Sequence, residues 1–144
     1  MAETLGSLCD KLTIVKLKQF HTEETNRLDS LKKQEGQLTK EIDQFVLDAI
    51  SGLIPVEKLS FAANKVYKES GNETKAINGN LGQIFSELAK TNCDLWHEQE
   101  KVYEFENVPI SEKDIVVKRL AILNLERNKC IDLINNILTN LCSR

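Results

Sequence analysis

Two short stretches carry the side chains best suited to chemistry at neutral pH. Phe20-His21-Thr22-Glu23-Glu24 and Trp96-His97-Glu98-Gln99-Glu100 each set an aromatic before a histidine and a glutamate three residues after it. His21 and His97 are the only histidines in the chain. A histidine and a carboxylate three residues apart share one helical face, where they can form an acid–base pair or offer a nitrogen and an oxygen to a metal. Two such helices face to face would supply two of each. Di-iron bundles use the opposite order, Glu-x-x-His, and add carboxylates from other helices. The order here is reversed, and Arg127 would bring positive charge towards the cation. No metal and no other cofactor is therefore expected. No Gly-rich phosphate loop, nucleophile elbow or His-Glu-x-x-His motif occurs. Cys93 and His97 lie one helical turn apart, a spacing that chance supplies readily.

These residues must be held by helices. Leu28, Leu31, Leu38, Ile42, Phe45 and Ala49 recur at three- and four-residue steps, a heptad-like apolar stripe. Leu5, Leu8, Leu12 and Val15 form a similar stripe in a shifted frame. Ser51-Gly52 supplies a stop, and Pro55 opens a short amphipathic helix over 55–69. The run Ser70–Asn80 is polar and turn-rich. A further helix is predicted over Leu81–Glu104, with a wide apolar arc that implies more than one neighbour. Ser111 with Asp114 resembles a capping box opening a last helix that runs to about Leu141. The predicted fold class is all-α: an antiparallel helical bundle of three to four long helices plus one short helix, built from two related helical units and forming a single domain over residues 1–144.

The two units come from an internal repeat. Leu12–Glu24 aligns with Leu88–Glu100, so that Phe20, His21 and Glu24 meet Trp96, His97 and Glu100. Leu31–Asp43 aligns with Leu120–Asp132. Both halves keep the order aromatic-His-x-x-Glu, then Ile-Asp. The second unit turns back at Val108-Pro109. The first has no such breaker, and a continuous helix through His21 and Asp43 is favoured over a tight turn near Thr25-Asn26.

Extending the apolar frame backwards from Leu28 passes through Glu24, His21, Leu17 and Ile14, and the gap between Leu31 and Leu38 is filled by Glu35. In the last helix, Asn124 and Arg127 stand between Val117-Leu120 and Ile131-Ile134. Buried charge is costly unless paired. These polar groups must pair with one another, line a solvated cleft, or leave the core. A structural polar layer, with Arg127 paired to a glutamate, is one reading. A polar pocket formed by His21, Glu24, His97, Glu100, Asn124 and Arg127 is the functional one.

The Trp96-His97-x-x-Glu100-Lys101 stretch, with Leu123-Asn124 and Arg127-Asn128 up to Asp132, resembles the pattern of an uncharacterised bacterial family of small helical proteins, a domain of unknown function. Asp10-Lys11-Leu12-Thr13-Ile14 looks like its N-terminal segment. Phe20 in place of Trp and Glu35 in place of Asn depart from the pattern. The resemblance covers about two-thirds of the chain by this reading and misses residues 50–80. It implies a helical fold and an association with cell-surface polysaccharide gene clusters, and it implies no reaction.

Composition narrows the function classes. The chain has 144 residues, 28% charged and 41% hydrophobic, with a net charge of −3. That balance gives no footprint for nucleic acid. No apolar run approaches the ~20 residues of a membrane span. The N-terminus lacks the build of a signal peptide, so a cytoplasmic protein with reduced cysteines is expected. Cys93 and Cys130 fall in apolar helical patterns, as core residues do. The leading expectation is a non-enzymatic helical interaction protein, acting as a homodimer or with a protein partner and linked to surface polysaccharide assembly. The alternative is an enzyme or ligand-binding bundle using the polar pocket on a small polar or sugar-derived metabolite. The sequence does not decide whether the protein is an enzyme.

Overall fold

The computed structural model describes residues 3–61 and 77–143. Four long helices pack together: α1 (Leu5–His21), α2 (Thr25–Ser51), α3 (Leu81–Tyr103) and α4 (Ile110–Cys142). Three-residue 3₁₀ turns lie at Val56–Lys58 and Phe105–Asn107. No strand occurs among the described residues, and no helix among them is long and apolar enough to cross a membrane. The bundle is thus all-α, as the periodicity predicts. Most of the predicted short helix over 55–69 lies outside the described residues; the part inside them is the 3₁₀ turn.

The favoured continuous first helix is corrected. The chain leaves helix at Thr22, where φ −110 and ψ 130 are extended, and re-enters it at Thr25. The Thr22 N–H closes α1 on the Gln19 carbonyl. No Gly or Pro marks the break, because the three-residue connection needs no left-handed residue: the described residues with positive φ are Gly52 and Gly79. Packing pays for the turn by laying the α2 stripe on α1. Leu31 and Ala49 are buried there, and Leu28, Leu38, Ile42 and Phe45 are half-buried. Glu35 ties the same seam, accepting from Gln19 at 2.8 Å and Lys16 at 3.1 Å. Those hydrogen bonds, Gln19 first, hold its carboxyl below the usual range.

Helix starts are capped locally. Thr4 and Ser7 exchange bonds in a capping box at α1, and Asn80 and Gln83 do the same at α3. The capping box expected at Ser111 and Asp114 is not formed. Pro109, with φ −56, precedes Ile110 as the cap residue of α4 and makes no side-chain cap bond, so Ser111 is already inside the helix. Pro109 has no N–H to leave unsatisfied and its ring fixes φ, which makes the start cheap without a cap.

The core sits where α1, α3 and α4 converge near the end of α2. Leu5, Cys9, Ala49, Leu59, Ile84, Leu88, Cys130, Ile131, Ile134 and Leu138 form one buried cluster. Burial pushes the Cys9 thiol up to about 11, with the neighbouring Asp10 charge adding to it. Cys130 is fully buried, whereas Cys93 and Cys142 are half-buried. Gly6 sets how closely α1 approaches α4. Its N–H, one of the donors a first helical turn leaves free, reaches Asn135 Oδ1 at 2.7 Å. A Cβ at residue 6 would press on the Ile131 carbonyl and lie 2.8 Å from Asn135 Oδ1. Gly6→Ala is therefore expected to cost about 1–3 kcal/mol, read as a lower denaturation midpoint with unchanged slope. An unchanged midpoint would show that α1 does not need this approach.

Candidate functional site

Arg127 is the centre of the polar interior. It projects from the middle of α4 towards α1, where Asp10 is buried at 4% exposure. Arg127 Nε donates to Asp10 Oδ1 at 2.9 Å and Nη2 to Oδ2 at 2.7 Å, a two-point pair. Asn92 of α3 completes the set. Its Nδ2 donates to Asp10 Oδ1 at 2.9 Å and to Thr13 Oγ1 at 2.7 Å, while the Thr13 hydroxyl donates to the Asp10 carbonyl. One buried carboxylate thus joins three helices.

The predicted partner of Arg127, a glutamate, is corrected to Asp10. The shorter side chain suits the site because α1 lies close to α4 around Gly6, four residues away. Asp10 has no basic residue three or four positions away in the sequence, so its charge must be met from another helix. That missing local partner, inside an apolar stripe, is the signal by which it could have been singled out.

The six candidate pocket residues do not form one pocket. Asn124 and Arg127 line a cleft of about 200 Å³ with Asn92, Gln99 and Trp96, walled by Ile14, Leu17 and Leu95. His21 and His97 stand outside that cleft, on the other side of Trp96. The His21 ring stacks on Trp96 with centroids 4.7 Å apart and planes 9° from parallel, and it meets His97 edge-on at 6.1 Å. Both histidines are exposed. Glu24 is exposed at the start of α2 and pairs with Arg27 at 3.2 Å, and Glu100 is exposed on α3. No hydrogen bond joins Cys93 to His97 among the described residues. No group of three or more His, Cys, Asp or Glu gathers among those residues as a metal site.

The buried acid of the second stretch is Glu98, not Glu100. Its Oε1 accepts from Arg119 Nε of α4 at 2.9 Å and from Lys101 at 3.2 Å. The register explains this: α4 lies across α3 from residue 98, whereas 97 and 100 fall on the α1 side or in solvent. The pairing of Glu98 with Arg119 is a second charged tie, this one joining α3 to α4.

Chemically, the cleft offers amides and a guanidinium already committed to Asp10. It contains no histidine, cysteine or carboxylate among its lining residues, so it holds no nucleophile–base pair of the kind acyl or phosphoryl transfer needs. No protein-family model matches the chain, and no curated protein or solved structure matches it.

Removing Arg127 strands a buried carboxylate. Arg127→Ala is expected to cost about 2–4 kcal/mol, below the ~3–5 of a fully enclosed pair because the Arg127 side chain keeps 32% exposure. The double variant Asp10→Leu with Arg127→Met should recover most of that loss. Equal destabilisation of the double variant would show that the pair does more than balance its own charge.

Proposed function

We propose that the protein is a non-enzymatic, cytoplasmic helical interaction protein that binds a second copy of itself through the projecting end of the α3–α4 hairpin. The observation that carries this reading is an apolar face that α1 leaves uncovered. At 1.5 Å per residue, α4 is about 50 Å long and α1 only about 26 Å. Lower down, α1 lies on Asn92 and Trp96 of α3 and on Ile131 and Asn135 of α4. The same faces continue, at helical spacing, to Tyr103 on α3 and to Val117 and Ile110 on α4. Tyr103 is 77% exposed, Val117 56% and Ile110 88%.

Large exposed apolar side chains on the faces of a projecting hairpin are what protein partners cover. A two-helix arm also presents the same surface on each copy, so a two-fold arrangement buries it reciprocally. The commitment of Arg127 to Asp10 weighs against the alternative of a catalytic pocket, since an anionic substrate would have to break that pair. The sequence resemblance extends the proposal to a partner in cell-surface polysaccharide assembly.

Sedimentation equilibrium over a wide concentration range tests the reading. The expected result is a concentration-dependent dimer that Val117→Glu or Ile110→Glu weakens at least tenfold, with helicity unchanged. A strict monomer at high concentration, or a dimer indifferent to both substitutions, would overturn it.

A further inference from the structure

A second cleft opens where the α1–α2 turn meets Trp96, away from the projecting arm. Its volume is about 440 Å³, within the range that holds small organic ligands. Three nitrogen-bearing side chains line it: Lys18 and His21 from α1 and Arg27 from α2. Thr22, Ser30 and Gln34 add neutral hydrogen-bonding groups, while Leu31 and Trp96 provide apolar wall. No carboxylate is among the lining residues. Lys18 has no carboxylate partner among the described residues. Arg27 meets Glu24 only in an exposed i,i+3 pair, with side chains 75% and 59% accessible. Such a pair is screened by water and readily exchanged. His21 is held in place by its stack on Trp96.

We infer that this cleft binds a small organic phosphate, a phosphomonoester carrying a flat or apolar body. Two full positive charges with no lining carboxylate suit an anion of charge near −2, the state of a phosphomonoester at neutral pH. Arg27 offers a planar fork for phosphate oxygens and Lys18 a point charge. The Ser30 and Thr22 hydroxyls can donate to the remaining oxygen. The space exceeds that of the phosphate group alone, and Leu31 with Trp96 gives the body an apolar surface. The ligand requires no part of the Asp10–Arg127 pair and none of the α3–α4 arm, so the site is independent of self-association.

The chain contains a single tryptophan, and it lines this cleft. Trp96 also lines the Arg127 cleft, so its fluorescence reports binding and the Lys18 and Arg27 substitutions assign it to this site. Phenyl phosphate titrated into the intact protein is expected to change Trp96 emission saturably, with phenol at the same concentrations giving no saturable change. Lys18→Ala and Arg27→Ala, both exposed and away from the core, should each weaken the phenyl phosphate titration about tenfold, the scale of one charge-assisted hydrogen bond. Lys40→Ala on the far part of α2 should leave it unchanged. Circular dichroism of each variant confirms that the helices persist. Absence of a saturable change in the unsubstituted protein, equal effects of phenol, or indifference to both substitutions would overturn the inference.

Discussion

One carboxylate organises this bundle. Asp10 is buried in the face of α1 that meets the rest of the protein, and its charge is tolerable only because Arg127 meets both oxygens and Asn92 adds a third donor. The cost of stripping water from such an ion is several kcal/mol, and geometry decides whether its partners offset that. A slide of α1 by one turn along α4, about 5.4 Å, would leave Asp10 and Arg127 unpaired together. Hydrophobic contacts alone would resist that slide weakly, since apolar stripes repeat at similar spacing. The polar set is therefore what selects one register for α1 on the α3–α4 pair, and Gly6 and Asn135 allow the close approach which that register demands.

The rest of the layout depends on that placement. With Asp10 opposite Arg127 and Asn92, α1 must end beside Trp96, where His21 stacks. The hairpin of α3 and α4 continues past this point, tied by Glu98 and Arg119 together with the buried Val116. Its α1-facing side is left bare. The α1–α2 turn, stopped at the same level, forms the basic cleft against Trp96. Both surfaces to which we attach function thus arise from the mismatch in length between a 17-residue and a 33-residue helix.

Helix existence was legible in the sequence because periodicity is local. The stripe from Leu28 to Ala49 is the face that packs, and α3 and α4 end within a residue or two of where their patterns fade. The α1–α2 break was not legible: Thr22-Glu23-Glu24 contains no breaker, and the apolar frame runs through it without interruption. Only the gain from folding α2 back onto α1 selects the turn. Among site residues, the reading that polar groups in the frame of α4 must be paired led correctly to Arg127. Its partner lies 117 positions away, a distance over which spacing carries no information. Asn92 and Glu98 were missed for a similar reason. Each sits next to a more conspicuous residue, Cys93 or His97, and burial depends on which side α4 occupies. The repeat drew attention to His21 and His97 as equivalents, whereas their rings are neighbours around one tryptophan.

The central claim is that half-buried Arg127 is locked to the buried Asp10, making it a structural group. The most direct measurement is hydrogen exchange of the Arg127 Nε–H, resolved by NMR against the exposed Arg27 as internal reference. The account predicts that the Arg127 signal is shifted and exchanges far more slowly than that of Arg27, and that Asp10→Asn abolishes the protection. Exchange of Arg127 Nε–H as fast as Arg27, in the unsubstituted protein, would contradict it.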